Sequence, residues 1–151
     1  MSRVSEIRYV GYATPEFAAE SAFYSDVWGL EPVPADDGMA YFKAKGASEH
    51  HVVRLRKAEA NRIDVIALAA ASRADVDALH AKLAETGAKI VHDPQDLASP
   101  GGGYGFRFFS PDGLWIGFTT VADRKLKKVS VGGGPPVTLA TDLPTGLASA
   151  S

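Results

Sequence analysis

The spacing of apolar positions along the chain alternates between strand-like and helix-like, and the whole pattern occurs twice. "EIRYVGYAT" (Glu6 to Thr14) is rich in β-branched and aromatic residues and predicts a strand. Thr14-Pro15-Glu16 predicts a helix start, with threonine as N-cap and proline in the first turn. "EFAAESAFYSDVWG" then spaces Phe17, Ser21, Tyr24 and Trp28 at helical intervals, with Ala18 and Phe23 beside them, and Gly29 is the expected stop. Short strands are predicted around Leu30–Val33, Met39–Ala44 and His51–Arg56, with turns at Pro34 to Gly38 and Lys45 to Ser48.

The second half repeats the order. "NRIDVIALAAA" predicts a strand, and "SRADVDALHAKLAETG" a helix with Ser72 as N-cap, Asp75 in a capping-box position and Gly87 as stop. Its apolar stripe is Val76, Leu79 and Leu83. Strands follow at Lys89–His92, Gly105–Phe109 and Leu114–Thr120. "IRYVGY" lies over "IDVIAL", Gly29 over Gly87, and "YFK" (41–43) over "GFR" (105–107). Each half reads strand–helix–strand–strand–strand. Neither half can cover its own sheet, so the two are expected to pack as a pair. The domain is placed at residues 1–121, with modules about 5–58 and 61–121. Residues 122–151 are basic, then rich in glycine and proline, and read as a linker-like, partly disordered tail in which "PPVTLA" can form one edge strand.

Composition narrows the function classes. The chain has 151 residues, 46% hydrophobic, which is enough for one self-supporting core. It contains no cysteine, so disulfides, thiolate metal sites and cysteine nucleophiles are excluded. A net charge of −2 argues against nucleic acid or an anionic membrane as partner. No apolar run is long enough for a membrane span, and "MSRVSEIRYVGY" has no signal-peptide core, so a cytoplasmic location is expected.

The stretches "IRYVGYATPEFAAESAFYSDVWGLEPV", "DVDALHAKLAETGAKIV" and "FRFFSPDGLWIGF" resemble the vicinal oxygen chelate superfamily of glyoxalases, bleomycin-resistance proteins and extradiol dioxygenases. "HHVVRLRKAEANRIDVIALAA" and "GGGYGFRFFSPDG" are most similar to the N-terminal domain of two-domain extradiol dioxygenases. The resemblance spans residues 5 to 121. It implies an α+β fold of two βαβββ modules whose sheet curls into a cup with the helices outside, and a homodimer.

In active relatives the cup holds a divalent metal on two histidines and one glutamate. The resemblance puts the first histidine position at Tyr9. The second falls at Val65, or at Asp64 if the register slips by one, and the glutamate position falls at Gly117. A phenol, an isopropyl group and a hydrogen do not assemble a tight site for Fe(II), Zn(II) or Ni(II). The expectation is therefore a domain with no catalytic residue, no metal and no cofactor. Tyr9, Arg54, Val65 and Gly117 would face a cup that takes a small aromatic or acidic molecule, or the domain would serve as the non-catalytic part of a dioxygenase. The alternatives are an active dioxygenase or glyoxalase-type lyase using a divalent metal such as Fe on unusual ligands, and a drug-sequestering resistance protein.

Arg54 overlies Gly117 in the repeat and is expected in the cup. There it holds a ligand carboxylate or phenolate, or pairs internally with Asp64 or Glu31. Asp64 and Glu49 are candidate bases that also read as paired or solvated carboxylates. His50 and His51 are expected on opposite faces of a strand edge, one packed and one solvated, and so unable to chelate one ion. His80 reads as a helix-surface residue and His92 as a solvated or capping residue in a turn. "PGGGYG" lacks the lysine and context of a phosphate loop and reads as a mobile hairpin loop or lid. "SPDG" is a turn signal.

Overall fold

A computed structural model of the chain describes residues 3–121, 126–128 and 137–140. The chain divides into two compact units, Met1–Val121 and Ala122–Ser151. Most of the predicted tail lies outside the described residues. The two pieces that are described, β9 (Leu126–Lys128) and β10 (Val137–Ala140), pair antiparallel with each other.

The first unit is βαβββ twice. Module one is β1 (Val4–Thr14), α1 (Phe17–Ala22) with a π-helical continuation (Phe23–Val27), β2 (Glu31–Val33), β3 (Met39–Lys43) and β4 (Val53–Lys57). Module two is β5 (Arg62–Ala70), α2 (Arg73–Glu85), β6 (Ile90–Asp96), β7 (Tyr104–Phe109) and β8 (Trp115–Thr120). They share one eight-stranded sheet in the order β2-β3-β4-β1-β5-β8-β7-β6.

The register makes the repeat a local two-fold. Val10 pairs with Ile66, and on either side Tyr9 pairs with Ala67 and Gly11 with Val65. Exchanging each residue for its partner at an offset of 56, which lays Ile7 over Ile63, returns the same ladder. The flanking ladders correspond as well, with an offset of 63 rather than 56 in the outer strands: Gly11 sits opposite Arg54, and Ala67 opposite Gly117. Arg54 therefore does overlie Gly117. The third strands correct the expectation. Tyr41 faces Arg54 and Arg107 faces Gly117, so "YFK" lies over Arg107–Phe109 rather than over "GFR". The loop lengths before these strands differ between the modules, and a two-residue slip preserves the face.

One sheet face meets the helices. On module one, Tyr24, Phe42, Val53 and Leu55 form the core with Tyr12, Phe17 and Leu30 against them. On module two, Ala70, Val76, Phe106 and Phe118 do the same, with Leu79 and Leu83 supplied by α2. Helix α2 starts as its sequence directs, the Ser72 hydroxyl accepting from the Asp75 N–H at 3.2 Å. Helix α1 does not. Its N-cap is Glu16, two residues later than expected, and the Thr14 hydroxyl accepts from the Glu16 N–H at 3.0 Å. The last turn of this helix widens, with the Trp28 N–H bonded to the Phe23 carbonyl five residues back. The wider turn rotates Trp28 out of the stripe, leaving it and Phe23 about half exposed while Tyr24 is buried. Gly29 and Gly87 close the two helices at φ +69° and +73°.

Gly103 has φ +97°, and a Cβ there would collide with the Thr120 backbone carbonyl. Gly103→Ala is expected to cost about 1–3 kcal/mol, read as a lower urea midpoint. An unchanged midpoint would show that the β7–β8 edge is not packed as described.

Candidate functional site

The face opposite the helices carries the chemistry. Alternation along the paired strands puts Tyr9, Gly11, Val65, Ala67, Arg54 and Gly117 on it together. The four residues singled out from the sequence thus share one surface. Their surroundings differ. The Tyr9 ring packs on His51, centroids 4.2 Å apart. Val65 is buried, and its Cγ1 fills the space a Cβ on Gly11 would need. Gly117 is buried but unobstructed, since a Cβ there would meet only Ala67, at 3.9 Å.

Arg54 takes the internal pairing. It binds the Asp64 carboxylate, which also receives Arg56 through Nε at 3.1 Å and Nη2 at 2.6 Å. Arg62 approaches the same carboxylate at 3.5 Å. Asp64 reaches this face through a bulge. Gly11 pairs with Val65 and Tyr12 with Ile63, which leaves Asp64 as the extra residue. Strict alternation would have turned it away, so the choice between Asp64 and Val65 posed by the sequence dissolves: both side chains lie on the Arg54 side. The two-fold repeats the device. Ile7 pairs with Leu68 and Tyr9 with Ala67, leaving Arg8 as the extra residue in β1. Its guanidinium is buried and donates to Thr119 Oγ1 at 2.6 Å, to both Glu49 carboxylate oxygens at 2.9 Å, and to the carbonyls of Gly101, Gly102 and Thr120. Arg8 has no sequence signal, because a strand read by alternation points it at the helices.

Burial alone would raise the Asp64 carboxyl, but the Arg56 hydrogen bonds and the Arg54 and Arg56 charges outweigh it and hold the group below its ordinary 3.8. Glu49 is likewise paired, with Arg8. Neither carboxylate stands free as a base. The "PGGGYG" loop, expected as a mobile lid or a hairpin loop, joins the antiparallel pair β6 and β7 and is tied to Arg8 through two carbonyls. "SPDG" forms the expected turn, its Ser110 hydroxyl accepting from the Leu114 N–H.

Of the histidine pair, His51 is packed and His50 exposed, as expected, but their geometry departs from expectation. His50 and His51 precede β4 in a bend rather than on a strand, so their rings converge, with Nδ1 atoms 2.9 Å apart. One Nδ1 donates and the other accepts. His51 is 2% exposed, sits between Tyr9 and Tyr41, and has no partner on Nε2. Burial first, then the charges of His50, Arg54 and Arg8, push its pKa down to about 3. His80 stacks edge-on to Phe106 with Nε2 3.2 Å from Asp93. His92 lies within β6, which continues through Pro94 with two register shifts, rather than in a turn.

Among the described residues no group of three or more His, Cys, Asp or Glu side chains is placed to hold a metal ion. At the three positions the family uses, the cup offers one phenol and two side chains without donors, and the nearby Asp64 is already shared among arginines. The residues present do not fit a metal.

A sequence profile of the Glyoxalase/Bleomycin resistance protein/Dioxygenase superfamily matches residues 6–118. The chain belongs to that superfamily. Among solved structures it is similar to the Mn(II)-bound glyoxalase from Novosphingobium aromaticivorans, with 62% identity and a TM-score of 0.76 over 83% of this chain and 43% of that one. An extradiol ring-cleaving dioxygenase from B. fuscum matches at 23% identity and TM-score 0.72, over 81% and 34%. Homoprotocatechuate 2,3-dioxygenase from Arthrobacter globiformis matches at 24% and 0.71, over 80% and 37%. These two share the fold. The chain spans less than half the length of each of the three. A search of curated protein sequences gives no match. The manganese in the 62% identical protein overturns the expectation that no cofactor is involved.

The unfolded chain protonates His51 near 6.5, whereas the folded chain does so near 3. The unfolded state therefore binds the extra proton, and stability falls on acidification through that window, by up to about 1.4 kcal/mol per pH unit. Asp64 adds a further loss as pH drops below 3.8. Chemical denaturation of the wild type and His51→Phe between pH 7 and 4 is expected to show a stability difference that shifts with pH. A constant difference would mean that His51 is not held neutral.

Proposed function

We propose that this chain is one domain of a divalent-metal-dependent enzyme of the glyoxalase type, in which the metal ligands come from residues outside this cup. The observation that supports the reading most is the identity with the Mn(II)-bound glyoxalase. The cup itself qualifies it: the three family positions carry no adequate donor set, and an ion cluster fills the space beside them. In such an enzyme the bound metal supplies Lewis-acid polarisation of a substrate oxygen. Here Asp64 and its arginines fix β4 against β5, and Tyr9, His51 and Tyr41 form a packed aromatic wall on the same face.

The test is metal content by mass spectrometry in protein isolated from its native host without chelator, with Tyr9→Phe and Gly117→Ala beside the wild type. Gly117→Ala meets no obstruction. Stoichiometric divalent metal, equal in all three, is expected. A wild type without such metal would contradict the enzyme assignment, and a fall in either variant would place the metal in this cup.

A further inference from the structure

We infer that the outward face of the first helix docks a basic segment of another polypeptide, one with apolar side chains among its lysines or arginines. Helix α1 and its π-helical continuation turn Tyr24 onto the sheet and leave Phe23, Val27 and Trp28 outside. These three are 45%, 67% and 55% exposed. The Phe23 and Trp28 rings pack on each other, centroids 5.8 Å apart, and Val27 precedes Trp28 on the same exposed turn. The wide turn makes the patch, because the bond from the Trp28 N–H to the Phe23 carbonyl brings Trp28 beside Phe23. Ala19 and Ala22, both exposed, extend it toward the helix start without adding a charge.

The repeat supplies an internal comparison. Counted back from the closing glycines, the places of Phe23, Val27 and Trp28 are held in module two by Ala81, Glu85 and Thr86. All three of these are exposed as well, yet none is a large apolar residue. Helix α2 still covers its half of the sheet, through Val76, Leu79 and Leu83. The fold therefore does not require an aromatic patch at this place. Large apolar side chains held in water where the fold does not need them mark a surface that a partner covers, and aromatic residues are enriched at such contacts.

Charge selects the partner. From Tyr9 to Phe42 the chain carries six carboxylates and no lysine, arginine or histidine. Glu16 caps the helix, Glu20 and Asp26 lie on it, and Glu31 opens β2 just beyond its end. None of these four forms an ion pair among the described residues. An anionic membrane or a nucleic acid meets like charge here. So does a second copy of this chain, because a two-fold contact would set these carboxylates against their own copies. A basic segment is steered in by the same carboxylates, and its apolar side chains pack on Phe23, Val27 and Trp28.

Helix α1 lies on the sheet face opposite the cup, so this surface is independent of where the metal is held. A benzoylphenylalanine photo-crosslinker is placed at Ala19, one turn before Phe23, in the full chain expressed in its native host. The same probe at Ala81 on α2 is the control. Ala19 is expected to give a protein adduct that Ala81 does not. Mass spectrometry of that adduct is expected to find a segment of net positive charge with apolar residues. Made as a synthetic peptide, the segment is expected to bind Trp28→Ser about tenfold more weakly than the wild type. For Glu20→Gln combined with Asp26→Asn the loss is expected to be about threefold to fivefold, with all variants checked for folding by circular dichroism. No adduct beyond the Ala81 control would overturn the assignment. An adduct to lipid, to nucleic acid, to an acidic or uncharged segment, or to any segment of this same chain would do so too, as would folded variants that bind the peptide as the wild type does.

Discussion

A buried carboxylate shared by arginines sets the character of this domain. Asp64 is desolvated, and its charge survives only because Arg54 and Arg56 converge on it. Removing one member of such a cluster leaves an unmatched buried charge, a loss of about 3–5 kcal/mol in other proteins. The cluster joins β4 to β5 across β1, tying the two modules together on the face that the helices do not cover. It also engages the Asp64 carboxylate, so that group is not free to take another cation. The surplus of guanidinium groups over carboxylates follows directly from it.

The two-fold shows how the arrangement arose on a symmetric frame. Both central strands are bulged at equivalent places, and each bulge turns one charged side chain onto the concave face. On one strand that residue is Asp64, answered by arginines. On the other it is Arg8, answered by Glu49, Thr119 and the glycine-loop carbonyls. The same backbone device therefore serves charges of opposite sign. Arg8 pins the "PGGGYG" loop, and Asp64 lines a cavity of about 630 Å³.

Much of the frame was legible in the sequence because local chemistry dictates it. Ser72 with Asp75, the stops at Gly29 and Gly87, and the stripe of Val76, Leu79 and Leu83 each act within a few residues. The overlay of Ile7–Tyr12 on Ile63–Leu68 gave the correct register, so Tyr9, Val65, Arg54 and Gly117 land together. What escaped depends on partners far along the chain. A bulge is a property of two paired strands, so the inward turn of Arg8 and Asp64 left no periodic trace. His50 and His51 read as strand residues on opposite faces, and only the bend that precedes β4 brings their rings together. Trp28 fits a helical stripe, but the π-helical turn moves it to the surface. The absence of a metal requirement was inferred from three missing donors. The manganese in a 62% identical protein overturns that expectation.

We propose that Asp64 and its arginines stand in this cup in place of a metal. The most direct test is an anomalous difference map, collected at the manganese absorption edge, from crystals of the protein grown with Mn(II). No anomalous peak is expected within bonding distance of Tyr9 Oη or the Asp64 carboxylate, with the Arg54 and Arg56 contacts to Asp64 intact. A manganese peak coordinated by either group, with the arginines displaced, would contradict it.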